Sequence, residues 1–244
     1  MDKIKRRIIS GAIVFCCAAA GISAVSHIEK KSETESIPTA ITDYSNKTPV
    51  IILDAGHGGF DGGCTSAEGI PEKGINLSIL LKLRDMLEIS GYQVKVTRDD
   101  DISIHDKGIE GLANQKSSDM DNRLEIFNSE DNAVCISIHQ NQFNDPKYSG
   151  AQMFFSGSTG GSEDLARSLQ KSFAGMLQPE NKREIKECGK ELFLCYYSEN
   201  PTVMAECGFL SNPEEAALLA TDDYQNKVAF TIYSGICSYI GSRK

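Results

Sequence analysis

Val50-Ile-Ile-Leu-Asp-Ala-Gly-His57 is the first of two apolar runs that end in a histidine, and Ala133-Val-Cys-Ile-Ser-Ile-His139 is the second. A third run, Pro201-Thr-Val-Met-Ala-Glu206, ends in a carboxylate. Runs this rich in valine and isoleucine are typical of buried strands. Because ligands bind beyond the carboxyl ends of strands in open α/β sheets, we expect His57, His139 and Glu206 at one sheet edge. A metal-assisted hydrolytic site is the leading hypothesis.

The rest of the sequence alternates between strand and helix patterns. Such alternation predicts a single α/β domain, in which a twisted, mostly parallel sheet is flanked by helices on both faces. Residues 99–120 are acidic and aperiodic, so we expect a long loop or a small insert there, with His105 as a surface histidine. The predicted strands are 49–54, 92–97, 133–138, 151–155, 191–197 and 202–206, and the predicted helices are 75–90, 120–129, 162–177, 213–220 and 222–240.

The amino-terminal segment has the pattern of a targeting element. A basic start leads into Ile8–Val25, which contains no charged residue. This pattern predicts a signal peptide or membrane anchor over 1–25, followed by a polar linker over 26–48 and the working domain over 49–241. Because the basic residues precede the apolar stretch, the positive-inside rule sends the domain out of the cytoplasm. We therefore expect a protein that is membrane-anchored or secreted.

Charge and cysteine content exclude several functions. The net charge is −9, and since residues 1–25 contribute +3, the remainder carries −12. This balance excludes nucleic acid as a partner, because phosphate binding needs a basic face. The six cysteines after the apolar segment include no Cys-x-x-Cys pair, so a thiolate zinc site is not expected. Their spacing allows a bridge between Cys188 and Cys195.

A glycine-rich turn, Gly56–Gly63, follows the first apolar run. A dinucleotide-binding Gly-x-Gly-x-x-Gly motif fails there, because Asp61 stands at the third glycine position. No Gly-Lys-Ser/Thr sequence is present for a phosphate-binding loop. We infer that the glycines let the backbone turn sharply beside His57 and leave room for a metal and a substrate.

The residue types at the predicted edge fit a catalytic zinc ion, which takes three protein ligands and keeps one position open. Two histidines and one acid form such a set. Glu72 begins the first predicted helix, where the helix dipole favours a carboxylate whatever its function. The alternative is that each histidine caps its strand through hydrogen bonds. The residues themselves leave five candidates for the acid: Asp54, Asp61, Glu68, Glu72 and Glu206.

Several motifs, in order along residues 49–240, resemble those of zinc-dependent N-acetylmuramoyl-L-alanine amidases of the third type. This resemblance implies that His57, Glu72 and His139 bind Zn²⁺ and that Glu206 is the catalytic acid and base. Independently of the resemblance, we expect Asp54 to orient His57 from behind. The motifs are Leu53-Asp-Ala-Gly-His-Gly-Gly-x-Asp-x-Gly63, Glu72-Lys-x-x-Asn-Leu77, Thr97-Arg98, Arg123-x-x-x-x-Asn128, Ser137-Ile-His-x-Asn141 and Glu206-x-Gly-Phe-Leu-Ser-Asn212.

The resemblance also implies a substrate, which is peptidoglycan, cut between the lactyl group of N-acetylmuramic acid and L-alanine. The segment between Arg98 and Arg123 is longer than in many autolysin-type members. Its end, Asp119–Ile126, looks like that of the sporulation and germination subgroup. That subgroup strips peptides from spore cortex ahead of muramic-δ-lactam formation, which implies the forespore or spore cortex space of a spore-forming bacterium.

Three further hypotheses follow from the sequence. The first is a partner protein that assists docking, because the negative net charge of the chain is unfavourable for binding to an anionic cell wall. The second is a non-catalytic peptidoglycan-binding or regulatory protein that has kept the fold. The third is a zinc peptidase that cuts stem peptides.

Overall fold

A six-stranded sheet forms the centre of the computed structural model, which describes residues 48–243. The strands are β1 (Val50–Ala55), β2 (Val94–Val96), β3 (Ala133–Asn141), β4 (Gln152–Phe155), β5 (Lys186–Glu187) and β6 (Thr202–Phe209). Their order across the sheet is β2-β1-β3-β6-β4-β5. The first four of these run parallel, β4 runs antiparallel to β6, and β5 is parallel to β4. The prediction of a mostly parallel sheet is confirmed.

Helices cover both faces of the sheet. They are α1 (Glu72–Ile89), α2 (Leu112–Phe127), α3 (Ser162–Ser172), α4 (Phe193–Tyr197), α5 (Pro213–Leu219) and α6 (Asp222–Ser242). The larger core lies between the sheet and α1, α3, α5 and α6, and it includes Ile51, Leu53 and Ile136. A smaller cluster on the opposite face joins Ile52 and Cys135 to α2 and α4. Alternate residues of β1 and β3 therefore serve opposite cores, as the pleat of a strand requires.

The register of the three central strands positions the edge residues. Asp54 pairs with Ser137, and His139 pairs with Glu206. Because residues paired in a ladder point to the same face, each pair directs its side chains to one side of the sheet. Both pairs lie towards the carboxyl ends of β1, β3 and β6. Parallel strands thus bring residues from three distant parts of the chain to one edge.

Several sequence predictions need correction. The predicted strand over 191–197 is wrong, because Phe193–Tyr197 forms the short helix α4. The predicted loop over 99–120 is wrong in its second half, since α2 already begins at Leu112. Helix α3 ends at Ser172, and Phe173–Leu177 forms a π-helical turn. The bridge between Cys188 and Cys195 does not form, because both thiols are free.

The predicted signal peptide or anchor over 1–25 and nearly all of the predicted linker over 26–48 lie outside the described residues. Among the helices of residues 48–243, none is both long and apolar enough to cross a membrane.

Candidate active site

Two histidine rings meet at the carboxyl edge of the sheet. His57 follows β1, and His139 lies near the end of β3. Their ring centroids are 4.9 Å apart, and the rings are nearly perpendicular. The Gly56 amide donates to the Ile138 carbonyl at 3.1 Å, which extends the ladder between β1 and β3 up to the site. The strand ladder itself therefore sets the spacing of the two imidazoles.

The glycine-rich turn gives the rings their space. A Cβ at Gly56 would overlap the His139 ring, and a Cβ at Gly63 would lie 2.7 Å from His57 Cδ2. Gly63 also has a φ of +68°, a conformation that favours glycine. His57 itself adopts a φ of +65°, which is uncommon for a residue with a side chain. The turn thus packs the backbone against both imidazoles and aims His57 towards the cluster.

Glu72, the first residue of α1, lies between the two histidines. Its Oε1 is 2.9 Å from His139 Nδ1, and its Oε2 is 3.3 Å from His57 Nε2. The backbone amides of Cys64 and Gln140 donate to the same carboxylate at 2.9 and 3.0 Å. Burial alone would raise the pKa of Glu72, but the hydrogen bonds with the two histidines outweigh it and hold this pKa well below its usual range. The carboxylate is therefore ionised and fixed in position.

His57, Glu72 and His139 together can hold a metal ion. Each offers one ligand atom, and these atoms all lie within 4.8 Å of one another. Two imidazole nitrogens and one carboxylate oxygen are a donor set that catalytic zinc sites use, with a fourth position left open. The chemistry and the spacing of these side chains fit zinc.

Glu206 stands beside this cluster with one oxygen unpaired. Its Oε2 atom is buried and finds no hydrogen-bond partner among residues 48–243. Burial raises the pKa of Glu206 to about 7, and the nearby histidines offset this rise only in part. A carboxyl group with a pKa near neutrality can both accept and donate a proton at working pH. Glu206 has the properties of an acid and base catalyst.

The other sequence candidates lie around the cluster. Asp61 Oδ2 is 3.1 Å from His57 Nδ1, and it also pairs with Lys116 Nζ at 2.9 Å. Asp61 therefore contacts the ring nitrogen of His57 opposite the one that faces Glu72. Glu68 is exposed on the surface of the turn. His105 lies apart from the cluster, where its ring packs edge-on against Phe60.

Asp54 is buried beneath the site in a network of charges. Its carboxylate accepts hydrogen bonds from Thr97 and Ser137, both at 2.6 Å, and from Arg123. Burial alone would raise the pKa of Asp54, but the charge of Arg123 and these hydrogen bonds hold it below the usual range. Arg123 in turn donates to the His57 carbonyl at 2.7 Å. Asp54 thus reaches His57 through Arg123, and its role in orienting that histidine stays a prediction.

Sequence reasoning missed the residues that hold the site together, above all Arg123. The Arg123-x-x-x-x-Asn128 motif was the only signal for it, and that motif carries no information on what the side chain contacts. Asn76 was missed in the same way, although its amide donates to Glu72 Oε1 at 3.1 Å and to the Gly56 carbonyl at 3.2 Å.

A family model described as N-acetylmuramoyl-L-alanine amidase matches residues 51–238. The chain belongs to this family. This amidase is accordingly a hydrolase of peptidoglycan, as the motifs predicted, and the non-catalytic alternative is set aside.

Relatives of the amidase agree in sequence and fold. The germination-specific N-acetylmuramoyl-L-alanine amidase of Bacillus subtilis is 35% identical over 190 residues, which cover 78% of this chain and 79% of the relative. The CwlD amidase of Clostridioides difficile, solved in complex with the GerS lipoprotein, is 38% identical with a TM-score of 0.76. That match covers 80% of this chain and 99% of CwlD. An N-acetylmuramoyl-L-alanine amidase of Clostridium difficile 630 is 29% identical with a TM-score of 0.70, over 81% of this chain and 99% of its own.

Proposed function

We propose that this amidase is a zinc enzyme, with His57, Glu72 and His139 as the metal ligands and Glu206 as the acid and base. One observation carries the proposal. The three ligand atoms converge within 4.8 Å, beside a carboxylate whose buried Oε2 has no partner in the described region. A buried polar atom without a partner is costly, and it calls for a ligand or a reacting group at that place.

The bond cut is the amide between the lactyl group of N-acetylmuramic acid and L-alanine. Zinc, when bound, would act as a Lewis acid that polarises the scissile carbonyl and lowers the pKa of the attacking water. Glu206 takes the proton from that water and returns it to the departing amine of L-alanine. Asp61, through its contact with Nδ1, keeps the Nε2 atom of His57 directed at Glu72 and the cluster. Asp54 supports the same histidine through Arg123.

The setting we propose is the spore cortex, where removal of the peptide precedes muramic-δ-lactam formation. The germination-specific relative of Bacillus subtilis supports this assignment. The apolar stretch near the amino terminus supports an extracytoplasmic location, anchored or secreted, with the catalytic domain over 49–241. A partner protein is supported by the complex that CwlD forms with a lipoprotein and by the net charge of −9, which disfavours unaided docking on an anionic wall.

The test combines metal analysis with product analysis of defined peptidoglycan. Glu206→Gln should retain zinc and lose turnover, because it removes only the proton carrier. His139→Ala should lose both zinc and turnover, whereas His105→Ala, a matched change outside the cluster, should lose neither. Wild-type product should contain new amino-terminal alanine and muramic acid with a free lactyl carboxylate.

Three results would contradict the proposal. Full activity of purified Glu206→Gln rules out its role as acid and base. Shortened stem peptides, without new amino-terminal alanine, identify a peptidase. Unchanged activity after complete removal of zinc by a chelator rules out the metal.

The partner protein is tested by a pull-down with the full chain from sporulating cells. A second protein should be recovered in a constant ratio to the amidase, and recovery of the amidase alone contradicts the proposal of a partner.

A further inference from the structure

A groove of about 270 Å³ opens next to Glu206, between the ends of β3 and β6 and the outer strands β4 and β5. Gln152, the first residue of β4, lines this groove and pairs with Glu206 across the antiparallel ladder. Paired residues of a ladder point to the same face, and their strands are only ~5 Å apart. The Gln152 end of the groove therefore lies one strand away from the carboxylate that we assign to proton transfer.

Arg183 forms one wall of the groove and is held rigidly. Its Nε donates to the Ser149 carbonyl at 2.8 Å, and its Nη1 is 3.4 Å from Gln152 Oε1. The guanidinium carbon lies 4.6 Å from the ring centroid of Phe209 and 5.7 Å from that of Tyr148. Stacking on aromatic faces suits a guanidinium and fixes its plane. Arg183 is thus oriented before any ligand arrives.

The positive charge of the groove is offset only in part by the protein, through the nearby carboxylate of Glu215. Within residues 48–243, neither Arg183 nor Lys186, which also lines the groove, forms an ion pair. The neighbouring acid, Glu215, accepts from the backbone amides of Gly150 and Phe209 instead. In a chain with a net charge of −9, two unpaired cations in one groove indicate an anionic ligand.

We propose that this groove binds the departing stem peptide and that Arg183 pairs with a free carboxylate of that peptide. The inference rests on the proposed function, because Glu206 returns a proton to the departing amine and so must lie beside the peptide side of the scissile bond. A peptide carries carboxylates at its end and on acidic residues, whereas the lactyl group of a muramic acid that still bears its peptide is held in the amide bond and carries no charge. A guanidinium held in a fixed orientation can form a bidentate, charge-assisted pair with a carboxylate, which a neutral sugar cannot form.

The experiment compares two preparations of the same peptidoglycan. In one, all peptide carboxylates are free, and in the other they have been converted to amides by carbodiimide coupling with ammonia. The wild-type full chain should show a kcat/KM about 10- to 100-fold lower on the amidated preparation, the range expected for loss of a hydrogen bond to a charged group. Arg183→Gln should lower kcat/KM on the free carboxylates to that level through KM, and should leave the rate on the amidated preparation unchanged. Lys171→Gln, which removes an exposed positive charge on α3, should change neither rate.

The outcomes separate this inference from the proposed function. Equal wild-type rates on the two preparations overturn carboxylate recognition, and this comparison holds even if Arg183→Gln fails to fold. A folded Arg183→Gln that loses activity equally on both preparations also overturns it, because that pattern belongs to a structural role or to glycan binding. If wild-type protein releases no new amino-terminal alanine from either preparation, the proposed function fails instead.

Discussion

Replacing Glu206 by glutamine should stabilise the metal-free protein above neutral pH, although the same change abolishes turnover. Burial raises the pKa of Glu206 from 4.5 to about 7 in the folded state, and Oε2 has no hydrogen-bond partner in the described region to compensate its charge. One pKa unit corresponds to ~1.4 kcal/mol, so ionisation of Glu206 costs the folded state about 3 kcal/mol. Glutamine has nearly the same shape and carries no charge, so it removes this cost.

The sign of the effect follows from proton linkage. Because its pKa is raised on folding, the folded protein binds the Glu206 proton more tightly than the unfolded chain does. The free energy of unfolding therefore falls as the pH rises from 4.5 through about 7, and it levels off above that. Wild type and Glu206→Gln should differ little at the acid end of this window, and their difference should reach about 3 kcal/mol at the alkaline end.

The assay is urea unfolding of both proteins in the presence of a chelator, at about pH 5 and at about pH 8.5. For a domain of this size, 1 kcal/mol corresponds to about 2–4 °C in Tm, so thermal scans at the higher pH should differ by roughly 6–12 °C. The change of the difference with pH is more informative than either value, since any constant packing cost of glutamine cancels.

Glu125→Gln provides the control, because it makes the same chemical change at an exposed position on α2. It should show no pH-dependent difference from wild type. If the stability difference between Glu206→Gln and wild type does not increase from the lower to the higher pH, ionisation of Glu206 does not cost the folded state free energy. The reasoning that it is poised for proton transfer then fails as well.

Two further predictions concern the support of the site. Asp54→Asn removes one of the two carboxylates that pair with the buried Arg123, the other being Asp119, and should lower the free energy of unfolding by about 1.5–3 kcal/mol, measured in urea; a loss too small to detect would contradict the buried network. Gly63→Ala places a Cβ 2.7 Å from His57 Cδ2 and should weaken zinc binding at least about tenfold in a competition titration. Gly74→Ala, where a Cβ meets nothing within 4 Å, should bind zinc normally, and equal affinity of the two variants would show that the tight turn does not hold the ligands.

The central strands could be predicted because each is a continuous apolar run, and strands buried on both faces need no alternation of polar residues. β1, β3 and β6 are of this kind, and their ends carry the site residues. The register between them could not be predicted, since it depends on contacts between segments far apart in the chain. The pairing of His139 with Glu206 is therefore a result of the structure alone.

The wrong predictions fall where the apolar pattern is short or absent. The run Leu192–Tyr197 is aromatic and apolar, which favours a strand, but a run of this length does not distinguish a strand from a short helix. In α2, the buried residues are Asp119, Arg123 and Phe127, spaced four apart as on one helical face. Because two of these three are charged, a search for apolar periodicity finds only the end of the helix.

The site was predictable in its residue types and not in its contacts. The strand ends indicated two histidines and an acid, but five carboxylates satisfied that description. Only the resemblance selected Glu72, and only the structure showed its carboxylate between both imidazoles. Asp54 and Arg123 lie 69 positions apart, and nothing in either local sequence connects them.

The hydrogen bonds of Arg123 explain why the buried face of α2 carries charged residues. Its guanidinium donates to the Asp54 and Asp119 carboxylates and to the carbonyls of Ala55 and His57. These carbonyls lie where the chain leaves β1 and turns into the positive φ of His57, beyond the ladder that would otherwise supply donors. An apolar residue at 123 would leave the buried Asp54 charge without its arginine partner and the His57 carbonyl without this donor, whereas the Ala55 carbonyl would keep its hydrogen bond from Arg98. A lysine, with its donors on one atom, could not span them. The helix therefore contributes donors rather than apolar area, because the turn that carries His57 requires them.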